Sequence, residues 1–272
     1  MLVGTAVQRN NVTVTGNPDG PVLLLAHGFG CDQDMWRALV PFFAADHRIV
    51  TFDHVGAGGS DLSAYDSAKY ASLDGYASDV LEICAELELT GVTFVGHSVS
   101  AMIGVTAAAR EPERFADLVL IAPSPRFIDD PAAGYVGGFS AEDIDGLLDS
   151  MATNYTTWAQ AMAPMVMGNP DRPELGDELT GRFCRTDPDI AREFARVTFL
   201  SDARPVLARV RTPSLVLQCS DDLLAPLAVG AYLGRELPGS TVVQLAATGH
   251  CPHVSAPEET AAAIRAHRDR RG

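Results

Sequence analysis

Seven short β-branched and aliphatic runs recur along the chain, at residues 11–15, 22–26, 48–52, 92–95, 118–121, 214–218 and 241–245. Four of them are near-continuously apolar. A strand can be apolar on both faces only when both faces are covered, so these runs imply a mostly parallel sheet wrapped by helices. Between them, 73–87 and 100–110 carry helical periodicity, and 257–267 forms a terminal helix opening on Pro257. With 272 residues the chain can bury a sizeable core as one α/β unit.

The alternation stops after Ile121. Residues 123–204 carry Pro and Gly punctuation, no strand pattern, and helical periodicity in 141–155, 157–167 and 188–199. The expected organisation is therefore a core from 1–122 and 205–272, with 123–204 inserted as a helical lid over the sheet's carboxyl edge. Open α/β sheets bind ligands at that edge. The insertion is rich in bulky apolar side chains, and Phe127, Phe139, Trp158, Met162, Phe194 and Phe199 are the candidate pocket residues. Such a stripe more often makes plain core; above a reactive group it can make both core and pocket.

Acidic residues outnumber basic ones 35 to 20, giving a net charge of −15. No basic cluster offsets that field, which argues against a nucleic-acid partner. Residues 1–12 hold no apolar run of signal-peptide length, and no stretch approaches a membrane span. The five cysteines lack paired spacing, so neither a disulfide framework nor a metal site is expected, and the cytoplasm is the expected compartment. Cys251 reads as a buried small hydrophobe.

The strongest local motif is Gly96-His97-Ser98-Val99-Ser100, between a strand and an Ala-rich helix. A serine on such a strand-to-helix turn is held in strained geometry and needs small residues two positions to either side; Ser100 stands where glycine is usual. Serine is a weak nucleophile until a base accepts its proton. His250 follows the last strand and comes late in chain order, which fits that role; His253 reads as a loop brace. His97 should point away from the serine, and His47, His54 and His267 read as surface or turn residues. The acid should follow the strand 214–218, where Asp221 and Asp222 are both available and only one can reach the imidazole. Backbone amides for a developing oxyanion would come from Phe29, in the turn His27-Gly28-Phe29-Gly30, and from Val99. The glycine-rich stretches lack the order of a dinucleotide site, so no cofactor is expected.

Taken together, Gly28-Phe29-Gly30-Cys31-Asp32-Gln33, Phe52-Asp53-His54-Val55-Gly56, Leu73-Asp74-Gly75-Tyr76, Val95-Gly96-His97-Ser98-Val99, Arg182-Phe183-Cys184, Leu217-Gln218-Cys219 and Gly249-His250-Cys251-Pro252-His253 resemble the bacterial stress-regulator hydrolases of the RsbQ type. These are α/β-hydrolase relatives of the plant strigolactone and karrikin receptors. The resemblance runs nearly end to end. It implies an α/β-hydrolase fold with a four-helix lid over a hydrophobic pocket. In that family the catalytic aspartate stands four residues before the loop proline, which selects Asp222 over Asp221. The implied activity is hydrolysis of a small hydrophobic ester or lactone by Ser98, His250 and Asp222. The rival expectations are a ligand sensor that acts through a protein partner with slow hydrolysis, and cofactor-free perhydrolysis on the same scaffold.

Overall fold

The computed structural model describes residues 4–270, so 1–3 and 271–272, the outer ends of the expected core, lie outside the described residues. Seven strands form one sheet: β1 (Thr13–Gly16), β2 (Val22–Ala26), β3 (Arg48–Phe52), β4 (Val92–His97), β5 (Phe115–Ile121), β6 (Ser214–Gln218) and β7 (Ser240–Gln244). Their spatial order is β1-β3-β2-β4-β5-β6-β7. Only β1, an edge strand, runs antiparallel to its neighbour; the other pairs are parallel. The chain has an α/β-hydrolase fold.

The helices are α1 (Ala6–Arg9), α2 (Leu73–Glu86), α3 (Val99–Arg110), α4 (Ala141–Thr153), α5 (Tyr155–Met167), α6 (Pro173–Arg185), α7 (Pro188–Leu200), α8 (Arg204–Leu207), α9 (Leu227–Glu236), α10 (Pro252–Ser255) and α11 (Pro257–Asp269). None of these described helices is long and apolar enough to cross a membrane.

Side chains alternate across the sheet as the pleat requires. Leu24, Val50, Phe94, Leu118 and Val216 join the buried cluster under α2, α3 and α9. Their neighbours Leu23, Ile49, Val95, Val119 and Leu215 join the cluster on the opposite face, with Trp36, Leu39 and Ile264 of α11. A third cluster gathers α4 to α7, where Ile144, Met151, Ala159, Leu179 and Ala195 pack together. Between β5 and β6 lie α4 to α7 and the short α8, where periodicity alone marks three helices. Two glycines, Gly176 and Gly181, dilute the helix signal of α6.

The parallel register aligns Ala26 with Gly96, His97 with Ile121, and Ile121 with Leu217. The loops after β2, β4, β5 and β6 consequently emerge side by side at one edge. These are the loops that carry Phe29, Ser98 and Asp222.

One buried charge network holds the N-terminal region to α2. Asp79, fully buried, accepts from Arg9 Nη2 at 2.8 Å, Lys69 Nζ at 2.6 Å and Tyr70 OH at 2.8 Å. Asp79→Ala leaves Arg9 buried and under-paired, and should lower unfolding free energy by about 3 kcal/mol in urea titration. A loss below about 1 kcal/mol, the range of exposed ion pairs, would show that solvent compensates.

Candidate active site

Ser98 ends β4 and precedes α3 with φ 57 and ψ −122. A left-handed backbone in a residue with a side chain is strained by roughly 1–3 kcal/mol. Two features hold it. The Ser98 N–H donates to the Ile121 carbonyl at 2.9 Å, tying the turn to β5. The crowding permits only glycine at position 96, since a Cβ there would lie 2.5 Å from the Ser100 carbonyl oxygen. The first-turn amides of α3 have no partners within the helix, and they begin at Val99.

The turn after β2 lies directly against this elbow. Cys31 N–H donates to the Gly28 carbonyl at 3.3 Å, and Gly30 takes φ 68 to close the turn around Phe29. A Cβ on Gly28 would meet His97 Nδ1 at 2.6 Å and the Ser98 Cβ at 3.3 Å. The backbone bearing Phe29 is thus packed beside His97 and Ser98.

The His250 ring bridges the serine and one aspartate. Its Nε2 lies 2.8 Å from Ser98 Oγ, and its Nδ1 lies 2.8 and 3.0 Å from the two carboxylate oxygens of Asp222. All three residues are buried. Asp222 also accepts the Leu224 and Ala225 amides at 2.9 and 3.2 Å, so its carboxylate is fixed from two sides. Asp221 is exposed, and its carbonyl instead accepts the Gly249 N–H at 2.7 Å. The geometry suits a neutral His250 that donates from Nδ1 to Asp222 and accepts the Ser98 proton at Nε2.

The backbone of His250 is held as firmly as its ring. Its N–H donates to the Val166 carbonyl of α5 at 2.9 Å, and its carbonyl accepts His97 Nε2–H at 2.8 Å. Behind it three rings pack at tilted angles: the His97 and His253 centroids lie 4.4 Å apart, and those of His253 and Trp36 4.6 Å apart. Burial, reinforced by neighbouring His250, pushes the His253 pKa down to about 3. Burial likewise holds His97 well below the ordinary imidazole range.

The histidines expected at the surface are buried instead, His54 and His267 against buried polar partners and His47 beside the exposed Asp46. His54 bonds Ser100 Oγ at 2.7 Å, His267 meets Asp117 at 3.0 Å, and His47 meets Asp46 at 2.7 Å.

A cavity of about 30 Å³ adjoins Ser98 and His250, room for roughly two water molecules. Phe127, Trp158, Met162 and Phe199 line it, as does the side of Phe29. Phe194 does not. Five residues separate it from Phe199, which at about 100° per residue puts the two on different faces of α7. Phe194 stacks on Tyr76 of α2, with centroids 4.5 Å apart. Phe139 is also outside the lining, bridged to Ile128 before α4 and only partly buried. Leu179 and Phe183 line the cavity as well, and their i, i+4 spacing on α6 is the sequence signal that puts them on one face. Cys31, Val166, Thr198, Leu224 and Cys251 complete the wall. Among the described residues no three His, Cys, Asp or Glu side chains form a metal-binding group.

Residues 23–263 match the model of the alpha/beta hydrolase family. The chain belongs to that family. It is 40% identical over 256 residues to the strigolactone esterase D14 of Arabidopsis thaliana, covering 94% of each protein. It is 40% identical over 257 residues to the karrikin insensitive 2 receptor IA of Petunia hybrida, covering 94% of this chain and 93% of that one. Among solved structures it is similar to a hydrolase from Oleispira antarctica, with 42% identity, a TM-score of 0.93, and 96% and 95% of the two chains covered.

The buried imidazoles of this hydrolase make stability depend on pH. His253, His97, His54 and His27 are all held neutral by burial. In the unfolded chain they return to roughly 6.5 and take up protons that the native state excludes. Unfolding free energy should therefore fall as pH drops from about 6.5 towards 3, the value to which His253 is depressed. Replacing His253 by Phe keeps a ring against Trp36 and should reduce the slope of stability against pH by about 1.4 kcal/mol per unit. Urea titrations between those pH values measure it; an unchanged slope would mean that His253 already binds its proton when folded.

Proposed function

We propose that this hydrolase cleaves a small hydrophobic ester or lactone through an acyl-enzyme on Ser98, without a cofactor. The observation that carries the reading is the continuous hydrogen-bonded chain from Ser98 Oγ through His250 to Asp222. Ser98 Oγ attacks the carbonyl carbon while His250 Nε2 takes its proton, and the charge passes to the carbonyl oxygen. The amides of Phe29 and Val99 receive that oxyanion. The tetrahedral intermediate collapses, the ester C–O bond breaks, and His250 returns the proton to the leaving oxygen. Water repeats the sequence to release the acid; from a lactone the product keeps alcohol and acid in one molecule. Asp222 stabilises the imidazolium between the two transfers.

The aromatic and aliphatic wall favours an apolar acyl group, and residues 123–204 act as the lid that excludes water from it. The esterase naming of plant relatives supports the ester class. Five unpaired cysteines among the described residues fit a reducing compartment, and we place the protein in the cytoplasm. A second reading, a receptor that reports ligand occupancy to a protein partner, is favoured by the receptor naming of other relatives of similar identity. It predicts a ligand that alters association with that partner even in Ser98→Ala.

A fluorophosphonate probe should label the native chain once, at Ser98, and Ser98→Ala should abolish labelling; persistent labelling would move the nucleophile elsewhere. Asp222→Asn should lower ester turnover by about 10⁴-fold, and Asp221→Asn by far less. The reverse ranking in steady-state kinetics would transfer the acid role to Asp221.

The cavity also makes acyl size a direct readout. Trp158→Ala opens space beside Ser98, and it should shift kcat/KM towards longer acyl chains across a nitrophenyl ester series, by about 10-fold or more. An unchanged preference in the folded variant would show that the acyl group lies away from Trp158.

A further inference from the structure

The last residue of the elbow, Ser100, is fully buried in the first turn of α3 and does not line the cavity. Its hydroxyl donates to the His27 carbonyl, the last step before the turn that carries Phe29. That carbonyl can only accept, so the single hydroxyl proton is spent there. Ser100 Oγ must then accept from His54 Nε2, 2.7 Å away, which fixes the proton of His54 on Nε2. His54 Nδ1 is left bare and has no partner. His27 is fixed in the opposite sense: its Nδ1–H donates to the Gly28 carbonyl at 2.8 Å, and its Nε2 accepts the His54 N–H at 3.1 Å.

The bonds form a closed directional circuit. It joins α3, the loop after β3 and both sides of the His27-Gly28 peptide. Both imidazoles are neutral in it, in keeping with the burial that lowers their pKa values. A glycine or alanine at position 100 would satisfy the steric demand of the elbow, and would leave the His27 carbonyl without this donor.

We infer that Ser100 is a positioning residue, whose hydroxyl, backed by His54, holds the Phe29 turn where its amide meets the oxyanion formed on Ser98. This inference rests on the acyl-transfer reading. The amide of Phe29 is two residues from the anchored His27 carbonyl, and Gly28 between them is in contact range of Ser98. A small rotation of the turn therefore moves the donor relative to the serine. Oxyanion donors act only at full strength when fixed beforehand, so loosening the turn weakens the transition state more than the bound substrate.

The test compares native chain, Ser100→Ala, and Ser100→Thr, which keeps a hydroxyl. Amide hydrogen exchange reads the turn independently of catalysis, and the amides of residues 28–31 should exchange on the order of tenfold faster in Ser100→Ala. For a short nitrophenyl ester, kcat should fall about tenfold with KM nearly unchanged, less than the roughly 10²–10³ lost with a whole oxyanion donor. Affinity for a trifluoromethyl ketone, whose hemiketal oxygen occupies the oxyanion position, should fall by the same factor as kcat. Ser100→Thr should recover part of all three. Faster exchange with unchanged ketone affinity and kcat would overturn the positioning role, and unchanged exchange would overturn the anchoring itself. If Ser98 in the native chain fails to react with a fluorophosphonate, the acyl-transfer reading fails separately, and the oxyanion role falls with it.

Discussion

The site depends on one backbone residue held in a conformation it would not choose. At φ 57, Ser98 projects its hydroxyl from the head of α3, held there between β4 and α3, which are both deeply buried. β4 lies at the centre of the sheet, every residue in it is buried, and both its neighbours are parallel strands, in continuous register with β5 from Thr93 to His97 after a shift at Val92. The strain is local, roughly 1–3 kcal/mol, and the surrounding packing is large enough to absorb it. The same crowding that forces the turn also brings Gly28 into contact range of Ser98. Ser98 and the turn after β2, the proposed nucleophile and oxyanion turn, are consequently set by one steric arrangement.

The partner groups are fixed by different means. Asp222 is oriented by the amides of its own loop, a device that needs no neighbouring element. His250 is held by three separate parts of the molecule: Asp222 on the ring, His97 of β4 on the carbonyl, and α5 on the N–H. Gly249 makes the last contact possible. It takes φ 79, and a Cβ on it would fall 1.8 Å from the Met167 carbonyl oxygen. The stacked His97 and His253 fill the space behind the ring with uncharged bodies, so a proton on His250 meets no fixed positive charge from them.

The sheet was legible because buried parallel strands must be apolar on both faces, and 22–26, 48–52 and 214–218 match the observed strands. Ser98, His250 and the aspartate pair were legible because their positions follow from the strand order. Choosing Asp222 needed the family resemblance, since both aspartates obey the same local pattern and differ only in which way the loop turns. What failed to show was whatever depends on packing between elements. Helix α6 is apolar chiefly at Leu175, Leu179 and Phe183, and its helical state comes from docking that face on α5. Phe194 and Phe199 share a helix, yet their 140° separation, which periodicity implies, matters only once α2 is known to lie on one side. The burial of His54 followed from Ser100, and neither residue alone signals the other.

Helix α5 connects substrate shape to base geometry. Trp158, Met162 and Val166 present one side of it to the cavity, while the Val166 carbonyl on the same turn accepts the His250 N–H. Gly168 ends the helix in the left-handed conformation and its N–H donates to the Pro164 carbonyl, and the Val166 carbonyl beyond accepts from outside the helix. Asn169 and Thr248 add a second tie between α5 and the loop before His250. An acyl group that fills the small cavity without displacing α5 leaves the His250 backbone where Nε2 meets Ser98. In the proposed acyl-transfer reading a larger group bears on α5, whose Val166 carbonyl is bonded directly to the His250 N–H at 2.9 Å. Selectivity in such a site is exerted on the chemical step as well as on binding, because the wall that measures the acyl group also carries the acceptor that places the base.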